Sequence, residues 1–215
     1  MSCPQCQGIE AFFDQREAER DLRSYRKNGL GGITSVLLDA IRAEGVDGAS
    51  LLDVGGGVGV VQHELLGAGV SGAVSVDASS AYLAAAKEEA ERRGHADRIE
   101  QRHGNFVDLA PQLEQADIVT LDKVICCYHD VEQLVRLSSA KARRTYAVVY
   151  PRYNLLFRAL PKLASVFFRL RRTPFRVFIH PTAVVEALVE GNGLRRTFYR
   201  KSGFWQVAVF TRAEA

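Results

Sequence analysis

Leu51-Leu52-Asp53-Val54-Gly55-Gly56-Gly57-Val58-Gly59 is the stretch that decides the fold. Apolar residues around a single acid read as a short buried strand, and the run of glycines ends it. Glycine lets the backbone turn tightly and approach a ligand with no Cβ in the way. Val58 to Leu66 then reads as a helix, so the turn joins a strand to a helix. Spacing separates two ligand classes. A dinucleotide-binding turn needs G-x-G-x-x-G. Counted from Gly55 its last glycine falls on Val60, and counted from Gly57 it falls on Gln62. The pattern present is G-x-G-x-G.

The alternation continues outward from the turn. Ala73-Val74-Ser75-Val76 is a second strand, ending at Asp77, 18 residues after Gly59. A carboxylate there can accept hydrogen bonds from both hydroxyls of a ribose. Ser79 or Ser80 caps a helix that runs to Arg93, with Gly94 as its stop. Ile99 to His103, Ile118 to Leu121 and Tyr146 to Tyr150 are further strands, and a helix follows Asp130. Strands alternating with helices predict an α/β fold with a parallel, doubly wound sheet and helices on both faces. Thr182 to Glu190 is a last helix. Leu194 to Arg200 and Phe204 to Thr211 are joined by Lys201-Ser202-Gly203, too short for a crossover, so they pair antiparallel. Five parallel strands and a C-terminal antiparallel hairpin result.

The first 45 residues read as helical. One segment begins with Ile9, Phe12, Phe13 and Arg16 and runs toward Tyr25; a second carries Ile33, Leu37, Ala40 and Ile41 and stops at Gly45. Between the fifth strand and the last helix, Leu156, Leu160, Leu163, Phe167 and Leu170 recur at helical spacing. Arg158, Lys162, Ser165, Arg169 and Arg172 recur on another face, which predicts a basic amphipathic helix. The expected organisation is an N-terminal helical lid over 1–45 and one domain over 46–215, with a basic cap insertion at about 152–176.

With 215 residues, 47% hydrophobic and 25% charged, the composition is that of a globular domain and excludes intrinsic disorder as the main state. The net charge of +3 conceals an asymmetry: eleven of the 28 basic residues lie between Glu132 and Glu186, where there is no Asp or Glu. Such a stretch is a solvated face or a surface for an anionic substrate, membrane or nucleic acid. No apolar run approaches membrane-spanning length and the first residues do not read as a signal peptide. Four cysteines do not make a disulfide scaffold, so a reducing, cytoplasmic setting is expected.

Residues 51–59 resemble motif I of the S-adenosylmethionine-dependent methyltransferases with the Rossmann-like fold. That family's sheet is also five parallel strands closed by an antiparallel hairpin, and the resemblance covers about residues 30–212. It implies S-adenosylmethionine as cofactor and methyl transfer to a small acceptor. Carried over position by position, it implies cofactor contacts from Asp53, Gly55, Gly57 and Gly59, and a ribose contact from Asp77. It implies adenine contacts from Asn105 and Phe106, where Asn105 stands for the family's Asp. Leu121, at the end of the fourth strand, is implied beside the methionine moiety. For Asp53 the alternative is a purely structural role under the turn. Three further features are similar, at a distance, to the magnesium-protoporphyrin IX O-methyltransferases: the helical N-terminus, Leu121-Asp122-Lys123-Val124-Ile125 before Tyr128-His129, and Tyr150-Pro151-Arg152 before a basic apolar cap. The likeness suggests O-methylation of a lipophilic or anionic acceptor.

Candidate proton-transfer and orienting groups follow the fourth strand. His129 has the natural pKa for a base near neutrality, with helix capping as its alternative. Tyr128 is a candidate for orienting the acceptor, and Tyr25 for closing over the cofactor carboxylate. His180 precedes Pro181 at a helix start and reads as a cap, while His63, His95 and His103 read as ordinary surface or strand residues. Cys3-Pro4-Gln5-Cys6 has the spacing of half a zinc site, but Cys126-Cys127 makes poor geometry for the other half, so no metal is expected.

Two other classes remain open. An NAD(P)-dependent oxidoreductase is disfavoured by the missing third glycine and by the absence of a Tyr-x-x-x-Lys pair. A peripheral membrane or interaction protein would use the basic helix 155–172 against anionic lipid. Nucleic acid is not expected as a partner, since the basic stretch carries no recognised binding motif.

Overall fold

The computed structural model describes residues 4–153 and 175–213. Three helices come first: α1 (Pro4–Phe12), α2 (Gln15–Asn28) and α3 (Gly32–Ala43). Then β1 (Ser50–Val54), α4 (Val60–Leu66), β2 (Gly72–Asp77), α5 (Ser80–Arg93), β3 (Ile99–His103), the short α6 (Phe106–Leu109), β4 (Ala116–Asp122), α7 (Val131–Ala140) and β5 (Ala142–Pro151) alternate. The chain ends with α8 (Thr182–Glu190), β6 (Leu194–Ser202) and β7 (Trp205–Arg212). All seven strands form one sheet of order β3-β2-β1-β4-β5-β7-β6. The first five are parallel; β7 runs antiparallel to both β5 and β6.

Both faces of the sheet are covered, which is why its central strands read as continuous apolar runs. Side chains alternate between two cores. Leu52, Val54, Val119, Leu121, Tyr146, Val148, Ala208 and Phe210 face a cluster shared with α7 and α8. Leu51, Ile118, Ala147, Val149, Val207 and Val209 face a second cluster with α3 and α4. α3 therefore packs on the sheet through Leu37, Leu38 and Ile41, all fully buried. A third, smaller cluster joins α2 to α5 through Ala18, Leu22, Tyr82 and Ala85. Among the described residues no helix is long and apolar enough to cross a membrane.

The strand and helix order agrees with the sequence reading, with two local differences and one segment beyond reach. The single helix expected from Ile9 to Tyr25 is two helices, broken at Phe13-Asp14. Asp14 is extended and accepts from Glu17 N at 3.0 Å, the N-cap of α2. His180 does not cap α8; Pro181 holds the N-cap position and no side chain bonds there. Residues 154–174, which include nearly all of the expected basic cap helix, lie outside the described residues, as does Cys3.

Removing the Asp14 cap leaves an orphaned amide at the start of α2. Asp14→Ala is expected to lower stability by about 1 kcal/mol in urea denaturation; an unchanged midpoint would show that tertiary packing alone fixes the break.

Candidate active site

The sheet's topology reverses between β1 and β4, and an open α/β sheet binds ligands at the carboxyl ends of its strands where that happens. A cleft of about 420 Å³ lies there. Its floor is the glycine turn. Gly55, Gly57 and Gly59 have φ of 68°, 56° and 87°, a region that side chains other than glycine rarely adopt. Gly56 is closed in from below. A Cβ there would sit 2.3 Å from Gln62 Nε2 and 2.6 Å from Ser75 Oγ.

What closes it in is a buried polar network. Asp53 is paired in register with Ser75 on β2 and Thr120 on β4, so the three side chains lie side by side. Thr120 Oγ1 donates to Asp53 Oδ1 at 2.7 Å, and Gln62 Nε2 donates to Asp53 Oδ2 at 3.1 Å and to Ser75 Oγ at 2.8 Å. Asp53 is 1% exposed, and burial pushes its carboxyl up to about 6 against the Thr120 and Gln62 bonds. The carboxylate bolts the turn to Thr120 and Gln62 directly, and to Ser75 through Gln62.

Asp77 ends β2 beside the turn. Gly57 N donates to its Oδ2 at 3.0 Å and Ser79 N to its Oδ1 at 2.8 Å. Burial raises its carboxyl, opposed by these backbone bonds. At the end of β3, Asn105 caps α6 by accepting from Val107 N at 3.3 Å and donates to the Tyr128 hydroxyl at 3.2 Å. Its side-chain oxygen is thus shared with the helix cap. Phe106 lines the same end of the cleft.

Beyond the turn on the other side, Leu121 is fully buried in the core. Asp122, Lys123 and Val124 line the cleft in its place, and a Cβ on Gly55 would touch Val124 at 2.4 Å. Side-chain alternation sends Leu121 to the face packed by helices. Lys123 has φ 64°, the one non-glycine residue with positive φ among those described. Its ammonium donates to Thr34 Oγ1 at 2.9 Å and lies 3.4 Å from Asp122 Oδ2. Thr34 Oγ1 donates to the same Oδ2 at 2.7 Å.

Tyr25 lines the cleft from α2; its hydroxyl donates to Glu64 at 2.9 Å and Arg93 stacks on its ring at 4.7 Å. Burial raises that hydroxyl's pKa, and the Glu64 bond adds to it. Tyr128 is buried and also lines the cleft. His129 is exposed and does not reach it, because the chain turns outward there to begin α7. Asp130 is the cap of that helix, accepting from Gln133 N at 2.9 Å. His180 Nε2 donates to Tyr128 O at 3.1 Å, a strut in place of the expected cap. His63 is no surface residue. It is 1% exposed, faces His95 Nδ1 to Nδ1 at 3.1 Å, and is pushed down to about 4 by burial and then by Arg93.

Sequence reasoning missed what α1 brings. Gln5 Nε2 donates to Cys127 O at 2.7 Å and to Arg176 O at 3.2 Å. Glu10 accepts from Ser80 Oγ and from Ser80 N, and faces His103 Nε2 at 3.1 Å. Phe12 stacks on Phe175 at 4.5 Å, and Phe13 meets Phe175 and Tyr82 edge-on. Cys6, Ile9 and Phe13 line the cleft as a result. No spacing in the sequence signals these long-range contacts. Among the described residues no group of three or more His, Cys, Asp or Glu is arranged to hold a metal ion.

Residues 52–139, the turn through α7, match the family model described as "Methyltransferase domain". Residues 52–139 thus carry a methyltransferase domain. No curated protein matches the chain. Among solved structures, the methyltransferase fold extends over nearly the whole chain. Magnesium protoporphyrin IX methyltransferase from Synechocystis PCC 6803 with bound S-adenosylhomocysteine superposes with TM-score 0.73 at 18% identity, covering 97% of this chain and 100% of that one. An O-methyltransferase family protein from Burkholderia thailandensis gives 0.69 at 16%, covering 93% and 60%. Geranyl diphosphate C-methyltransferase from Streptomyces coelicolor A3(2) gives 0.67 at 14%, covering 84% and 79%.

The charge of the cleft lining fits S-adenosylmethionine. Asp21, Asp53, Asp77 and Asp122 line it against Lys123 as the one cation among the described residues. A sulfonium and an ammonium suit that imbalance.

The raised carboxyl of Asp53 has a measurable sign. Its folded pKa of about 6 exceeds the unfolded 3.8, so its contribution is full at acid pH and is lost as pH rises through about 6. From pH 4 to 7 the protein is expected to lose stability relative to Asp53→Asn, by up to about 3 kcal/mol. A difference that stays flat across this range would show that ionising Asp53 carries no cost.

Proposed function

We propose that this methyltransferase transfers the methyl group of S-adenosylmethionine to an oxygen of a small lipophilic acceptor. When bound, the cofactor supplies an electrophilic methyl on sulfonium, and the protein's work is alignment. The observation that carries the reading is the line of groups across consecutive strand ends: Asn105 and Phe106 after β3, Asp77 on β2, the glycine turn after β1, and Asp122 on β4. In this reading Asn105 and Phe106 flank adenine, Asp77 takes the ribose hydroxyls, and Gly55, Gly57 and Gly59 let the backbone approach.

The acceptor side is assigned to Tyr128, Cys127, Leu30 and Ile9, which border the cleft with an apolar surface. Tyr128 is assigned the acceptor's orientation through its ring, since its hydroxyl is held by Asn105 toward the adenine end. His129 is exposed outside the cleft and is assigned no proton transfer. α1 and α2 are assigned the lid, on the strength of the Gln5, Glu10 and Phe12 contacts that hold α1 across the opening. The basic stretch 152–176 is assigned the acceptor cap and contact with anionic lipid, and a cytoplasmic setting is part of the same reading. The Synechocystis and Streptomyces enzymes are named for a porphyrin and geranyl diphosphate, so acceptors with an extensive hydrocarbon part are compatible with this fold.

Transfer of labelled methyl from S-adenosylmethionine to a panel of lipophilic phenols, alcohols and carboxylic acids tests the reaction class. An O-methylated product is expected; product only from amine or carbon acceptors would overturn it. Asp77→Ala is expected to weaken S-adenosylhomocysteine binding by about a hundredfold or more while leaving the fold intact. Unchanged affinity would remove Asp77 from the ribose site.

A further inference from the structure

Asp122 is the one described carboxylate in the molecule with a buried side-chain oxygen that has no partner. Its two oxygens are treated unequally. Oδ2 receives the Thr34 hydroxyl at 2.7 Å and faces the Lys123 ammonium at 3.4 Å, while Oδ1 receives nothing. A buried carboxylate oxygen left unpaired is costly. The residue lines the cleft, and the backbone beside it is strained: Lys123 holds φ 64° where glycine would be at ease. Two departures from ordinary structure at one place in a cleft are the pattern expected of a functional group.

Its position says which function. Asp122 ends β4, which lies beside β1 across the sheet's reversal from Asp77. Strands are about 4.8 Å apart, so Asp122 stands one strand past the glycine turn, on the side away from ribose and adenine. On the cofactor reading above, that is where the reacting methyl meets the acceptor. An acceptor that is itself a carboxylate would enter a cleft already lined by four aspartates. A neutral hydroxyl would instead supply the hydrogen-bond donor that Oδ1 lacks.

We propose that Asp122 is the catalytic base of this methyltransferase and that its acceptor is a neutral hydroxyl compound, an alcohol or phenol. The proposal rests on the cofactor reading above. The acceptor O–H gives its proton to Asp122 Oδ1 as its oxygen bonds to the methyl carbon, and the sulfur keeps the electron pair of the broken C–S bond. Thr34 and Lys123 are positioning residues: by occupying Oδ2 they leave Oδ1 as the oxygen with no donor from the described residues.

The test needs no acceptor. Sinefungin carries an ammonium where the cofactor carries its sulfonium methyl; S-adenosylhomocysteine carries neither, and the two share the same amino-acid end. Calorimetry of both ligands is compared in the wild type and in Asp122→Asn, with the melting temperature of each protein recorded. The wild type is expected to prefer sinefungin by about tenfold, and Asp122→Asn to lose that preference with little change for S-adenosylhomocysteine. Asp122→Glu, which displaces the carboxylate by one methylene, is expected to reduce the preference and serves if the Asn variant does not fold. A preference unchanged in the variants would overturn the proposal. So would equal weakening of both ligands, which would place Asp122 at the cofactor's amino group. Failure of the wild type to bind S-adenosylhomocysteine would be a different result, overturning the cofactor reading and this inference with it.

Discussion

The site depends on one buried carboxylate. Asp53 is almost wholly buried and draws on three elements at once: Thr120 from β4, Gln62 from α4 and, through Gln62, Ser75 from β2. Those contacts fix the ends of the three strands on which the cleft is built. They also fix the first turns of α4 relative to β1, and with them the path of the glycines between. The cost is a charged group in a dry place, visible in its raised pKa. A polar ladder across three adjacent strands leaves few alternative registers at the strand ends, where an apolar one would pack more cheaply.

Above that floor the arrangement is one-dimensional. On the proposed reading, the groups assigned to adenine, ribose, sulfonium and acceptor follow one another along the carboxyl ends of β3, β2, β1 and β4, with the acceptor at the reversal between β1 and β4. α1 crosses above, held at one end by Gln5 on the Cys127 carbonyl and at the other by Glu10 at the start of α5. Phe12, Phe13 and Phe175 fill the space between them with rings. The clasp joins the two ends of the chain's path around the cleft, so ordering of α1 and ordering of residues 175–180 are coupled through shared contacts.

Much of this was legible in the residues. The strand–turn–helix at 51–66, the acid at 77, the hairpin and the boundaries of α8 all follow from local patterns that packing did not override. The break at Asp14 was also written in the sequence. Asp14 followed by Glu17 is a capping signal, but the apolar spacing of Ile9, Phe12 and Phe13 ran past it. Other features had no local signature. Whether Leu121 or Asp122 faces the cleft depends on where the strand ends, since one residue's shift reverses the faces. His63 reads as one more polar position on a short helix, and only the packing of α4 against α5 buries it. The partners of Gln5, Glu10 and Thr34 lie 122, 70 and 88 residues away, beyond any spacing rule.

Calorimetric titration with S-adenosylhomocysteine, with NAD and NADP run alongside, tests the central claim most directly: that the G-x-G-x-G turn over Asp53 is built for the adenosyl cofactor of methyl transfer. The account predicts a single site for S-adenosylhomocysteine and no heat from either nicotinamide nucleotide. Binding of NAD or NADP in its place, or of none of the three, would contradict it.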